Sequence, residues 1–361
     1  MSENRSYFFA AGGSGGHVFP AIAVADALLE KQPDAKITFV GVGTPIERKL
    51  LDDARWQYEV VPSVAVRGKG LFGVLKLLVA FPKSFFKARS LIKKSSAKKF
   101  IGFGGYPTVI PLLAAKSLSL RCVLQEQNKD VGLANSFLSL FVNKIFAVHG
   151  ASGFWRKANI EFIMNPVRRV FSKIPEWTNP KDKFTLAILG GSQGAVSLNT
   201  EILKLIDIFK KYNLHVIHQT GAKDLQRVQN EYSEKGFKAE VFEFIDSIEK
   251  CYESAHLLIC RAGAMTIAEV SESARPAIYV PLPIAGGHQG ENAKPLVEHG
   301  AAVMYEHGEE LEKNLRSEIL KSLECLDVIS KRAKKAREYS RSAGASSADY
   351  VATYLLEQSK K

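Results

Sequence analysis

The sequence predicts an α/β protein built from two doubly wound halves. Three observations predict it. Apolar runs of strand length, Tyr7 to Ala11 and Phe184 to Leu189, recur about half a chain apart, and each ends in a glycine cluster: Gly12-Gly13-Ser14-Gly15-Gly16 and Gly190-Gly191-Ser192-Gln193-Gly194. Each cluster opens a stretch with helical apolar spacing, the strand–loop–helix beginning of a sheet that binds ligands at the carboxyl ends of its strands. The chain of 361 residues is long enough for two domains, each burying its own core.

In order, Tyr7 to Ala11 reads as a strand. The helix that follows, Pro20 through Leu29, carries Pro20 near its first turn, where a missing N–H costs nothing. Ile37 to Gly41 is the second strand. A dinucleotide site calls for G-x-G-x-x-G and an acid at the end of that strand; the glycines do not match, and Val42 and Gly43 stand there instead. No GK[ST] ending marks a P-loop.

Arg67 to Lys99 is basic. Leu71, Phe72, Leu75, Leu78, Val79, Phe81, Phe85 and Phe86 alternate with Lys69, Lys76, Lys83, Lys87, Arg89, Lys93 and Lys94. This predicts one or two amphipathic helices, read equally well as an interfacial membrane contact or as a core-facing helix with a solvated basic side. Nucleic acid ranks behind both, because no nucleic-acid motif accompanies the charge.

Phe100 to Phe103, Arg121 to Leu124 and Lys144 to Val148 are strands. Gly104-Gly105-Tyr106-Pro107 turns into a helix over Thr108 to Lys116, and Gln125-Glu126-Gln127-Asn128 closes the strand before a helix near Leu133 to Val142. Pro175 to Pro180 reads as a loop after the crossing to the second half. There Phe184 to Leu189 leads into a helix over Ser197 to Phe209, and His215 to Thr220, Ala239 to Phe242, His256 to Cys260 and Pro276 to Val280 continue the sheet. After Cys260 the turn at Gly263 opens a helix at Thr266-Ile267-Ala268-Glu269, whose N-terminus suits an anion such as a diphosphate. Thr266 and Glu269 are also spaced as a capping box. Pro281 to Ala293 reads as a polar, glycine-rich loop, and Ser346 to Gln358 as a terminal helix.

The net charge is +12, and between Val60 and Gln125 stand twelve Lys or Arg with no Asp or Glu, so the remainder is close to neutral. Cys122, Cys251, Cys260 and Cys325 are scattered without CxxC spacing, no apolar run reaches the ~20 residues of a membrane span, and the first residues lack a signal peptide's apolar core. A reducing cytoplasm fits.

Taken together, Gly12–His17, Gly104–Pro107, Glu126-Gln127-Asn128, Asn165-Pro166-Val167-Arg168, Gly190–Ala195, Arg261–Glu269 and His288–Ala293 resemble, in order and over nearly the whole chain, the MurG family of UDP-N-acetylglucosamine transferases, which convert lipid I to lipid II in peptidoglycan synthesis. The resemblance implies the GT-B glycosyltransferase fold, two Rossmann-like domains facing a cleft. Residues 1–166, with a final helix at about 343–361 packing back, would form the acceptor and membrane-associated domain, and 167–342 the UDP-GlcNAc domain. It implies an inverting hexosyltransferase that moves GlcNAc to the MurNAc 4-hydroxyl of undecaprenyl-pyrophosphoryl-MurNAc-pentapeptide. The enzyme would act at the cytoplasmic face of the inner membrane, in cell-wall synthesis and division.

Position by position, Ile245 would read uracil through its backbone, and Glu269 would hold the ribose. Ser192 with the backbone of Ala264, Met265 and Thr266 would meet the diphosphate, with Arg168 beside it, Ile267 and Ala268 would also belong to the donor site, and Gln289 and Asn292 would hold the sugar. Ser14, Gly15, Gly16 and Asn128 would complete the donor site from the opposite wall, and Gly104, Gly105, Tyr106 and Asn128 would contact the acceptor. The base is His17 or its rival Glu126. The implied membrane patch comprises Leu71, Phe72, Leu75, Leu78, Phe81, Lys83, Phe85, Phe86, Lys87 and Arg89. No Asp-x-Asp metal motif is present and no tightly bound cofactor is expected. Alternatives are a diacylglycerol glycosyltransferase or a UDP-sugar epimerase on the same fold and, more distantly, a basic membrane- or nucleic-acid-binding module.

Overall fold

The computed structural model describes residues 5–63, 70–156, 159–191, 194–282, 288–342 and 346–357, with backbone alone at 70–79, 288 and 342. The chain forms two compact units, Met1–Arg168 with Ala345–Lys361, and Arg169–Gly344.

In the first unit seven parallel strands, β1 (Ser6–Ala10), β2 (Lys36–Gly41), β3 (Gln57–Val60), β4 (Lys99–Gly102), β5 (Arg121–Glu126), β6 (Lys144–Ala147) and β7 (Ile160–Phe162), lie in the order β3-β2-β1-β4-β5-β6-β7. Every residue of β1 is buried, as a strand covered on both faces requires. Its side chains alternate: Tyr7 and Phe9 pack with Val24, Leu28 and Phe39, while Phe8 and Ala10 pack with Phe100, Ile110 and Leu112. The first layer is supplied by α1 (Gly15–Lys31). The other face carries α3 (Gly70–Ser95), α4 (Tyr106–Ser117) and α5 (Leu133–Leu138), and the short α2 (Pro45–Leu51) links β2 to β3.

The second unit repeats the plan. Strands β8 (Thr185–Leu189), β9 (His215–Gln219), β10 (Glu240–Phe242), β11 (Leu257–Cys260), β12 (Ala277–Tyr279) and β13 (Ala302–Met304) are all parallel in the order β10-β9-β8-β11-β12-β13. Its helices are α6 (Val196–Leu203), α7 (Ile206–Lys211), α8 (Leu225–Glu234), α9 (Ile248–Ser254), α10 (Ala264–Ser273), α11 (His288–Glu298), α12 (Leu311–Glu324) and α13 (Leu326–Ser342). The last helix, α14 (Ser347–Glu357), belongs to the first unit, where Ala348, Val351, Ala352 and Leu355 join the α1 side of its core.

Three local expectations are corrected. The helix over Ser197 to Phe209 is two helices, because the backbone tightens between them: the Lys204 N–H donates to the Glu201 carbonyl at 3.3 Å and the Leu205 N–H to the Ile202 carbonyl at 2.9 Å, three residues back instead of four. α10 starts at Ala264, with Gly263 as its cap in extended conformation and the Gly263 carbonyl accepting from the Ile267 N–H at 2.9 Å. Thr266 is therefore inside the first turn, and the capping box does not form. The segment from His288 is helix rather than loop: Glu291 sits in its first turn, where the dipole favours an acid, and Ala293 and Leu296 are buried three apart.

Candidate active site

In each sheet the chain leaves two central neighbours in opposite directions, β1 and β4 in the first and β8 and β11 in the second. The carboxyl ends at such switch points are where doubly wound sheets bind ligands. The glycine loops, His17 and the start of α10 lie at these two places, while Asn128, Ile245, Gln289 and Asn292 follow β5, β10 and β12.

In the first unit Gly13 adopts φ +83°, a left-handed conformation suited to glycine, and Ser14 caps α1 without a side-chain capping bond among the described residues. Its hydroxyl thus faces no helix N–H, and the first turn of α1 holds no acid to oppose an anion. One turn on, His17 Nδ1 lies 3.1 Å from Gln127 Oε1. The amide orientation of Gln127 is set by its own donation from Nε2 to the Phe103 carbonyl at 2.8 Å, so its oxygen must face the ring. An acceptor at Nδ1 fixes the proton there and leaves the lone pair on Nε2. Nε2 points at the turn after β4: a Cβ at Gly105, φ +73°, would stand 2.9 Å from it. Gly105 is the space into which the imidazole fits. Behind it Asn165 Nδ2 donates to the Gln127 carbonyl at 2.9 Å and Gln125 Nε2 to Asn165 Oδ1 at 3.0 Å, a buried amide network that holds the partner of His17 in place.

Glu126 has a different environment. It is 2% exposed, and its carboxylate accepts from the Asn128 N–H at 2.9 Å, Asn128 Nδ2 at 3.2 Å and Asn135 Nδ2 at 2.7 Å. Every one of these partners is a donor, so the group braces the β5 corner and positions Asn128. Gly104 and Gly105 form the turn into α4, Thr108 Oγ1 donates to the Gly104 carbonyl at 2.8 Å, and Tyr106 is half-buried beside them. Sequence reasoning missed Glu47 of α2, a fully buried carboxylate that accepts from the Gly13 N–H at 2.6 Å. It stands 34 residues from the loop it holds, among charged neighbours that read as surface. Arg168 ends the first unit, near Asp26 of α1, whose carboxyl burial raises against the opposing charges of Arg55 and, more weakly, Arg168.

In the second unit Ser192 lies outside the described residues, while Gly191 and Gly194 flank it with φ +80° and +77°. Gln219, buried at the end of β9, joins two parts of the expected donor site: its Nε2 donates to the Gly191 carbonyl and its Oε1 accepts from the Ile245 N–H, both at 3.0 Å. The Ile245 N–H is thus engaged. No sequence pattern singled out Gln219. Ala264 and Thr266 are half-exposed in the first turn of α10, whereas Met265, Ile267 and Ala268 are buried, so these three can offer only backbone. Glu269 lies one turn further, where the Tyr252 hydroxyl donates to it at 3.2 Å.

Arg261 is a brace: 6% exposed, it donates to the Val280 and Pro281 carbonyls at 3.1 and 3.0 Å and to Ser197 Oγ at 2.7 Å. It ties the loops after β11 and β12 to α6, and burial holds its guanidinium below the usual arginine range. Gln289 in α11 accepts from the Leu282 N–H at 2.9 Å, with Asn292 half-buried one turn on. Among the described residues no three His, Cys, Asp or Glu side chains are grouped to hold a metal ion.

On α3, Leu71, Phe72, Leu75 and Leu78 have side chains outside the described residues. Beyond them Ser84, Ala88 and Ile92 form a buried stripe, so this length of helix packs on the sheet. Phe81 stacks on Phe85 at 5.6 Å, and Phe86, 66% exposed, stands between exposed Lys83 and Lys87. Arg89 donates to the Ser117 carbonyl at 3.0 Å and so also closes the end of α4. Among the described residues no helix is long and apolar enough to cross a membrane.

Comparison with known proteins covers both units. The glycosyltransferase family 28 N-terminal domain matches residues 7–147 and its C-terminal domain residues 185–349. The chain is 36% identical over 316 residues to the UDP-N-acetylglucosamine--N-acetylmuramyl-(pentapeptide) pyrophosphoryl-undecaprenol N-acetylglucosamine transferase of Syntrophus aciditrophicus, covering 86% of this chain and 87% of the relative. The protein of that name from Myxococcus xanthus is 34% identical over 343 residues, 91% and 90% of the two chains. The crystal structure of Acinetobacter baumannii MurG superposes with a TM-score of 0.74 at 28% identity, over 98% of this chain and 99% of that one.

Proposed function

We propose how the site works from one premise: the chain belongs to the MurG family of glycosyltransferases, with the GT-B fold. It is a UDP-GlcNAc-dependent N-acetylglucosaminyltransferase that moves GlcNAc to lipid I and so makes lipid II in peptidoglycan synthesis. The second unit holds UDP-GlcNAc: the Ile245 carbonyl meets the uracil, Glu269 the ribose, the first turn of α10 the diphosphate, and Gln289 and Asn292 the sugar. The first unit supplies acceptor contacts through Gly104, Gly105, Tyr106 and Asn128, with Ser14, Gly15 and Gly16 at the head of α1.

The observation that carries the chemistry is the hydrogen bond from His17 to Gln127. It leaves Nε2 as a lone pair that can take the proton of the MurNAc 4-hydroxyl as that oxygen attacks the anomeric carbon. The bond from that carbon to the UDP oxygen breaks, and UDP leaves with the electron pair. Inversion follows from attack opposite the leaving group. Backbone N–H groups of α10 stabilise the departing diphosphate, and Arg168 adds a positive charge.

The exposed Phe86 between Lys83 and Lys87, on a helix from a segment with no acid, supports contact with the anionic cytoplasmic face of the membrane. The protein would then act there peripherally, with no role for nucleic acid. Transfer of labelled GlcNAc from UDP-GlcNAc to a lipid I analogue, with EDTA present, tests the whole reading. Product identifies donor, acceptor and independence from a divalent cation. No product, with UDP-GlcNAc still bound, would refute the acceptor assignment.

A further inference from the structure

Glu47 is the most fully engaged buried acid in the first unit's site. The Gly13 N–H donates to Oε1 at 2.6 Å, and the Val42 and Gly43 N–H groups donate to Oε2 at 2.8 Å each. The Tyr58 hydroxyl donates to Oε2 at 2.7 Å. Burial raises its carboxyl, but these donors outweigh burial and hold it below the usual range, so it is ionised at neutral pH. The surrounding backbone has been shaped to it. A Cβ at Gly12 would stand 2.9 Å from Oε1, and one at Gly41 would overlap Oε2.

From this geometry we infer that Glu47 is a positioning residue for the transfer reaction: it clamps the first glycine loop to the end of β2 and thereby sets where Ser14 and His17 stand. The loop is held from both sides. Glu47 grips the Gly13 N–H, and Tyr106 and Pro107 lie against the other face of Gly13, 3.6 and 3.5 Å from where its Cβ would be. Gly13 immediately precedes the cap of α1, and His17 Nδ1 is separately fixed by Gln127, so a shift at Gly13 turns the start of α1 against a pinned imidazole. The clamp has a second consequence. Because the Gly13 N–H is spent on a protein carboxylate, an anion bound at this loop is met by the Ser14 hydroxyl and the amides of α1 alone.

This inference rests on the proposed acceptor role of the first unit, and the test separates the two. Glu47→Gln keeps the shape but must turn an NH2 group toward a backbone N–H in either amide orientation. Glu47→Asp withdraws the carboxylate by one methylene, so that it reaches Val42 and Gly43 but not Gly13. Both are expected to lower kcat for GlcNAc transfer about 10- to 100-fold, the range in which misplacement of a reacting group acts, with the KM for UDP-GlcNAc and calorimetric UDP affinity within about two-fold of wild type. Tyr58→Phe, which leaves the three N–H contacts, is expected to keep kcat within about three-fold. A wild-type kcat in either Glu47 variant overturns the inference. Loss of UDP binding together with turnover in both also overturns it, since Glu47 would then serve the fold at large. A wild-type enzyme that binds UDP-GlcNAc and transfers to no lipid acceptor would instead refute the functional reading beneath it.

Discussion

Replacing Glu126 by glutamine and by alanine separates the two acids and bases of the first unit by their costs. Glu126→Ala abandons three donors. Two belong to Asn128, which is half-buried and can turn to water, while Asn135 Nδ2 is buried and cannot. At about 1 kcal/mol for each donor that recovers water and up to about 3 kcal/mol for the one that does not, the loss is roughly 3–5 kcal/mol. For a domain of this size that lowers Tm by about 6–20 °C. Glu126→Gln is far milder, for a reason visible in the structure. Its amide oxygen can keep both Asn128 bonds, and its NH2 then faces Asn135, whose Oδ1 is buried and accepts nothing among the described residues. A flip of the Asn135 amide presents that oxygen to the new donor, so the cost is about 1 kcal/mol.

If His17 is the base, the kinetics divide the other way. Glu126→Gln keeps kcat within about five-fold, while His17→Ala, which gives up one half-buried hydrogen bond worth about 1 kcal/mol, lowers kcat by about 10² to 10⁴. Thermal melts and initial rates at saturating UDP-GlcNAc on the three variants decide it. A Glu126→Gln protein that melts normally and loses a hundred-fold in kcat, beside an active His17→Ala protein, would refute the assignment.

Other consequences follow from single contacts. Gln219→Leu breaks both the Gly191 and the Ile245 bonds, and UDP affinity by calorimetry is expected to fall about ten-fold with the acceptor KM unchanged. Arg261→Ala leaves two carbonyls and a serine without their donor, and denaturant unfolding should show a loss of about 3 kcal/mol. His218 is wholly buried between Tyr232 and Asn199, and burial pulls its pKa down from 6.5 to about 3. Its folded pKa is depressed, so the unfolded chain takes up the proton first; its contribution is complete above pH 6.5 and falls by about 1.4 kcal/mol per pH unit as pH drops toward 3. A His218→Gln protein should lose that share of the slope in chemical unfolding between pH 7 and pH 5. An unchanged slope would show that His218 is not the group responsible.

The sheets were legible because fully buried parallel strands are short apolar runs, and in this chain each run that ends at a switch point is followed by glycines. His17 was legible for the same reason: it is the titratable side chain in the glycine cluster itself. What the sequence hid were side chains that act across a long separation. Glu47 sits in Ile46-Glu47-Arg48-Lys49, which reads as a solvated face, and only the fold brings it under Gly13. Gln127 and Gln219 carry no period and no charge, yet each sets the orientation of a functional group through one amide. Thr266 and Glu269 misled because the capping-box spacing is a local rule, and the helix began at Ala264 once Gly263 took the cap. Glu126 invited a catalytic reading as an acid at a strand end, and it is the count of donors around it that speaks for a brace.

The two units follow one topology but back their glycine loops with opposite chemistry. Behind the first loop stands an ionised carboxylate, Glu47, which draws the Gly13 N–H away from any ligand and sets a negative charge beneath it. Behind the second stands a neutral amide, Gln219, whose Nε2 donates to the Gly191 carbonyl, so no buried carboxylate is set against that glycine. An anion loses from a nearby like charge, and since neither α1 nor α10 has an acid in its first turn, the buried Glu47 carboxylate is the difference that disfavours a nucleoside diphosphate over the first loop. The proposed division of labour between acceptor and donor units is supported by which buried side chain stands behind each loop. It makes Gln219→Glu the instructive reversal. A carboxylate there could still accept from Ile245 but would face the Gly191 carbonyl, and UDP affinity should fall further than in Gln219→Leu. Equal losses in the two variants would mean that the charge behind the loop is not what selects the ligand.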